Sequence, residues 1–93
     1  MDEKYFDRLR QIIFRHIDSR RNRAFVFGSS LRGGKFFDVD IALTGGLEGK
    51  IINRLRDELE ESTFPFKVDL VNFEQADPEF KKQVLTNSIK WLN

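Results

Sequence analysis

The sequence predicts an α/β (α+β) fold: a small mixed three-stranded sheet flanked by helices, in the order α-β-α-β-α-β-α. Three observations predict it. Apolar residues recur at helical spacing in three separate segments. Three short runs of strand formers lie between those segments. Gly and Pro fall at the junctions.

The elements follow in order. From Asp2 to about Arg20, Phe6, Leu9, Ile12, Ile13 and Ile17 fall on one face, with Arg and Asp opposite, so an amphipathic helix is expected there. Ala24-Phe25-Val26-Phe27 is a short strand cut off by Gly28. Ser29 to Lys35 reads as one helical turn plus a loop through Gly33-Gly34. A second strand runs from Asp38 to Thr44 and stops at Gly45-Gly46. Ile51, Ile52, Leu55 and Leu59 mark a helix from Leu47 to Glu61, broken at Thr63-Phe64-Pro65. Phe66 to Phe73 is the third strand. Asp77 then reads as the N-cap of a last helix with Pro78 in its first turn, carrying Phe80, Val84, Leu85, Ile89 and Leu92. The helix between the second and third strands suits a parallel crossover, whereas the shorter first link suits an antiparallel pair.

The 93 residues are expected to form one domain. A chain of this length buries only ~60–65% of its unfolded surface, enough for one modest core. Its ten Phe supply that core and leave little for a second lobe. A formal net charge of +1 gives no strong nucleic-acid signal. With no cysteine, disulfides and thiolate metal sites are excluded, and a reducing, cytoplasmic setting is the expectation. No apolar run approaches the ~20 residues of a membrane span, so no membrane partner is expected.

Asp38 and Asp40 are two apart on a predicted strand, so both carboxylates leave one face. Like charges held this close are costly unless a cation or a proton neutralises them. Magnesium suits the task, because it takes oxygen ligands from one or two carboxylates plus substrate phosphates. Asp69 interrupts an otherwise apolar strand centre, Val68-Asp69-Leu70-Val71. If its strand runs parallel beside the second, Asp69 lies next to Asp40 and completes a triad. The competing reading pairs Asp69 with Lys67, which shares its face, or with an arginine. Phosphates need donors, and Gly28-Ser29 before a helical turn offers free N–H groups and a hydroxyl, with Arg32 and Lys35 nearby as cations. His16 carries no expected chemistry. The Phe36-Phe37 pair is expected to act as a lid or core contact, and Trp91 and Leu92 to pack on the first helix.

The series Phe27-Gly28-Ser29-Ser30-Leu31-Arg32-Gly33, then Asp38-Val39-Asp40-Ile41-Ala42-Leu43, then Phe66-Lys67-Val68-Asp69-Leu70-Val71, resembles the signature of the DNA polymerase β-like nucleotidyltransferases. It is similar to the minimal nucleotidyltransferase (MNT) antitoxins of HEPN/MNT toxin–antitoxin pairs. Asp77-Pro78-Glu79-Phe80-Lys81 opening the last helix is similar as well. The segment between Ser29 and Asp38 is shorter than is common there, and Phe37 stands where Ser or Thr is usual.

The resemblance implies that Gly28, Ser29 and Arg32 bind the nucleotide. It implies that Asp38, Asp40 and Asp69 are both the catalytic and the metal-binding residues, holding two Mg2+ ions, with ATP as the nucleotide substrate. The implied activity is transfer of AMP to a hydroxyl, a tyrosine of a helical HEPN-type toxin partner. The alternative is an antitoxin that neutralises its partner by contact alone. The alternative to a HEPN-type partner is a homodimer whose second copy closes the site.

Overall fold

The computed structural model describes residues 1–33 and 38–93. Lys35, the Phe36-Phe37 pair and the position of Phe37 before Asp38 therefore lie outside the described residues. The elements are α1 (Glu3–Ile13), β1 (Ala24–Phe27), a 3-10 turn (Ser29–Leu31), β2 (Asp38–Leu43), α2 (Gly49–Glu61), β3 (Lys67–Asn72), a second 3-10 turn (Phe73–Gln75), α3 (Pro78–Leu85) and β4 (Lys90–Trp91). The sheet order is β3-β2-β1-β4. β2 runs parallel to β3, while β1 is antiparallel to both β2 and β4. The mixed sheet and the crossover are as the sequence predicts, and the sheet gains a fourth strand.

That strand replaces the end of the expected last helix. The Thr86 hydroxyl and the Asn87 amide both donate to the Gln83 carbonyl, taking up an acceptor of the final turn. The chain then extends. Leu92 N–H donates to Ala24 O at 2.8 Å, and Trp91 packs against Phe25 with ring centroids 4.9 Å apart. Leu92 is buried in the main core, and Arg10 Nε donates to its carbonyl, so its expected packing on the first helix holds. Trp91 instead lies over β1, with the Arg23 guanidinium 3.9 Å from its ring centre.

The first helix is also shorter than its periodicity suggests. Asp18 accepts from Arg20 N–H through its side chain and from Arg21 and Asn22 N–H through its carbonyl. This local bonding competes with helix and closes a turn. Ile17 still reaches the core from the intervening turn. Asp77 caps α3 as expected, accepting from Glu79 N–H at 2.8 Å.

Alternation along the strands builds two unequal cores. Val26, Val39, Ile41 and Leu43 point to one face, against Phe6, Leu9, Ile12 and Ile13 of α1 and Ile52, Leu55 and Leu59 of α2. Each such side chain contributes roughly 1.5–3 kcal/mol on full burial, so this face dominates stability. The other face carries a small cluster of Phe25, Ala42, Phe73 and Val84, covered by eight-residue α3. By the same alternation, Asp38 and Asp40 share the second face with Ala42. So short a helix leaves the carboxylate end of that face uncovered, and this positions the site. Among the described residues no helix is long and apolar enough to cross a membrane.

Glu58 of α2 ties down the turn after α1, accepting from Arg15 Nη2 and bonded at 2.9 Å to His16 Nε2. The Arg15 hydrogen bond, then that of His16, holds the Glu58 carboxyl below its ordinary value of 4.5. A depressed carboxyl stabilises the fold above its unfolded value and loses that contribution as pH falls through the folded one. Glu58→Gln is therefore expected to lower the melting midpoint slightly at pH 7. Melting curves at a series of pH values should show the gap closing below about 4.5. A gap that persists in acid would mean that packing, not charge, is what was lost.

Candidate active site

The parallel register between β2 and β3 sets Asp40 directly beside Asp69, and Asp38 beside Lys67. The antiparallel register sets Phe27, the residue before Gly28, opposite Asp40. The three predicted carboxylates and the predicted Gly-Ser turn thus meet at one end of the sheet.

Gly28 leaves β1 with φ 84 and ψ −158, a backbone region open essentially to glycine alone. A Cβ built there would lie 2.6 Å from Asp40 Oδ2. The glycine is required twice over, for its backbone angles and because the Asp40 carboxylate fills the space of a side chain. Ser29 then opens the 3-10 turn, in which Leu31 N–H donates to Gly28 O and Arg32 N–H to Ser29 O. A turn of this kind leaves its leading N–H groups without intrahelical partners, as an anion cradle requires.

Burial, then the Asp69 charge, then the Asp38 charge, push the Asp40 carboxyl above its ordinary value of 3.8. Burial is the larger cause, and the two neighbouring carboxylates add to it. Lys67 Nζ stands 3.9 Å from Asp69 Oδ1, so the pairing set against the metal reading is also present, through an exposed side chain. Among the described residues no three His, Cys, Asp or Glu side chains form a ready-made metal cage. Magnesium does not need one, since it usually takes one or two carboxylates and completes its shell with phosphate and water oxygens. An all-carboxylate donor set with a raised carboxyl fits such a cation.

Arg32 is exposed and shares with Gly28 a cleft of about 160 Å3 walled by Phe27, Phe80 and Gln83. The carboxylates do not line this cleft. Gly28 is the link between the two parts. Ser30 is a residue that sequence reasoning passed over. It is fully buried, and among the described residues its hydroxyl has no hydrogen-bond partner. An unmade buried bond costs about 1–3 kcal/mol. Its adjacency to Ser29 was the available signal, but a pattern of residue types cannot show which of two serines points inward.

Comparison with known proteins agrees with the fold. The polymerase beta nucleotidyltransferase family matches residues 11–92. No curated protein sequence matches the chain. Among solved structures, the chain is similar to a toxin–antitoxin MntA–HpeT assembly bearing two Asp-to-Glu substitutions, with 21% identity, TM-score 0.75, and coverage of 95% of this chain and 71% of that one. It is similar to a chain in the tri-AMPylated Shewanella oneidensis HEPN toxin complex with its MNT antitoxin, with 23% identity, TM-score 0.76 and coverage of 100% and 72%. A toxin–antitoxin structure with AMP-PNP gives 22% identity, TM-score 0.73 and coverage of 95% and 72%. At these identities the structures speak for a shared fold, and the family match covers most of the sequence. The chain belongs to the polymerase beta nucleotidyltransferase family.

Proposed function

We propose that this chain transfers AMP from ATP to a hydroxyl acceptor, a tyrosine on a helical HEPN-type partner, using Asp38, Asp40 and Asp69. The observation that carries the proposal is the side-by-side pairing of Asp40 and Asp69 against the side-chain-free surface of Gly28. One chain of the same fold comes from a complex of tri-AMPylated HEPN toxin with MNT antitoxin, which supports this choice of acceptor and partner. A cytoplasmic setting, where ATP is at hand, completes the reading.

In this scheme Gly28 and Ser29 hold the β- and γ-phosphates through backbone N–H groups and the Ser29 hydroxyl, and Arg32 adds positive charge. Asp38, Asp40 and Asp69 would hold two magnesium ions, which supply charge neutralisation of the triphosphate. Asp69 accepts the proton of the attacking hydroxyl. The oxygen–α-phosphorus bond forms as the bond to the β-phosphate oxygen breaks, and pyrophosphate leaves. Positioning accounts for most of such a catalysis. The partner, or failing that a second copy of the chain, presents the acceptor.

Neutralisation by contact alone is the second reading, favoured by the lack of a three-carboxylate cage among the described residues. The test mixes the purified chain, a HEPN partner, magnesium and labelled ATP, and weighs the partner by mass spectrometry. Added AMP on a partner tyrosine is the expected result. A stable complex with no added mass would establish the contact reading instead. Efficient transfer to a free small molecule by the isolated chain would overturn both.

A further inference from the structure

We propose that Lys67 is a built-in countercation, holding the place of the metal while the site is empty and passing to the nucleotide phosphates when metal arrives. The inference rests on the proposed function above. It begins from register: Lys67 lies across from Asp38 and two residues before Asp69, so its side chain shares their face. Its Nζ stands 3.9 Å from Asp69 Oδ1. Among the described residues, no second cation makes an ion pair with Asp38, Asp40 or Asp69.

Three carboxylates at one sheet end repel one another, and a single lysine cannot cancel them all. It can lower the repulsion enough for the sheet to form without metal. The Lys67 side chain is 72% exposed and that of Asp69 48%, so the pair is loose. Exposed pairs are weak and easily exchanged. A dication outcompetes the ammonium for Asp69, and the flexible four-carbon stem lets the freed charge swing to an incoming anion. The triphosphate of the proposed function, held at the Gly28–Ser29 turn at the same end of the sheet, is such an anion. Lys67 is thus a positioning residue with opposite effects on the two ligands: it opposes metal alone and favours metal with triphosphate.

That opposition is what the experiment reads. Mn2+ binding to the whole chain is measured by electron paramagnetic resonance, first alone and then with a non-hydrolysable ATP analogue, for the parent, Lys67→Met and Lys67→Arg. Removing the charge is expected to tighten binding of Mn2+ alone by about fivefold, the scale of one unit-charge contact in water. The same variant is expected to bind the analogue, at saturating Mn2+, more weakly by about the same factor. Lys67→Arg keeps the charge and should behave as the parent in both. Unchanged or weaker Mn2+ binding by Lys67→Met would overturn the countercation role. Unchanged analogue binding would overturn the handover. A parent that binds neither ligand would bring down the proposed function, and Lys67's role with it. A merely structural lysine would weaken both ligands together.

Discussion

Asp40→Asn is expected to abolish magnesium-dependent triphosphate binding while leaving the fold at least as stable as the parent. Asp40 sits at the centre of the cluster, flanked by Asp69 in register and by Asp38 on its own strand. A ligand carboxylate lost there should cost more than the ~10–100-fold seen when an outer-shell partner is removed. Stability should move the other way. Burial and two like charges raise the Asp40 carboxyl, so its ionised form disfavours the folded state. For a carboxyl raised on folding, the parent loses stability as pH climbs from 3.8 through the folded value, and regains it on acidification. The Asn variant lacks that dependence. Calorimetric titration with magnesium and ATP, together with melting across pH, reads both effects. Parental binding by the Asn variant would show that the site lies elsewhere.

Gly28→Ala carries the second large effect, on stability and ligand binding at once. The backbone region it occupies costs a non-glycine residue ~1–3 kcal/mol. For a domain of this size that corresponds to roughly 4–8 °C of melting midpoint per kcal/mol. The new methyl must also displace the Asp40 carboxylate, which it would meet at 2.6 Å. Gly33→Ala is the control, because Gly33 also has a positive φ, 78, but among the described residues its Cβ would meet nothing within 4 Å. The control is expected to lose stability and keep triphosphate binding, while Gly28→Ala loses both. Equal binding by the two variants would mean that the contact between Gly28 and Asp40 is incidental to the cradle.

Much of this site was legible because its parts obey short rules. The period of two in strands puts Asp38 and Asp40 on one face. The helix between Gly49 and Glu61 forced a parallel crossover and so brought Asp69 beside Asp40. The same alternation put Lys67 on the face of Asp69, where the two form an ion pair. What stayed hidden depends on partners far away in sequence. Leu85, Ile89 and Leu92 have helical spacing, yet residues 90 and 91 form a strand because β1 offers Phe25 and an unpaired edge. Local periodicity cannot see an edge. The end of α1 was missed because the backbone after Ile13 closes short turns, Arg15 N–H on Ile12 O and His16 N–H on Ile13 O, that apolar spacing does not record. The closeness of Gly28 to Asp40 is a matter of tenths of an ångström between two strands, which no residue pattern encodes.

The fourth strand bears on how the molecule assembles. β1 is central in the sheet, but its two edges are closed by segments of very different sequence distance: Phe27 meets Asp40, whereas Val26 meets Lys90. Loop closure costs entropy that grows with the length enclosed, so the near pairing is expected to form first and the distant one last. The late joint is fastened by Asn93, which accepts from Ala24 N–H through its side chain and from the Arg23 guanidinium through its carbonyl, at 3.0 and 2.7 Å. Until that knot is tied, β1 presents a bare row of backbone donors and acceptors to solvent. Such a row is a template on which another chain can add a strand. The vulnerable moment in this protein's life is therefore the interval between synthesis of β1 and arrival of residues 90–93, a kinetic window written into the order of its strands.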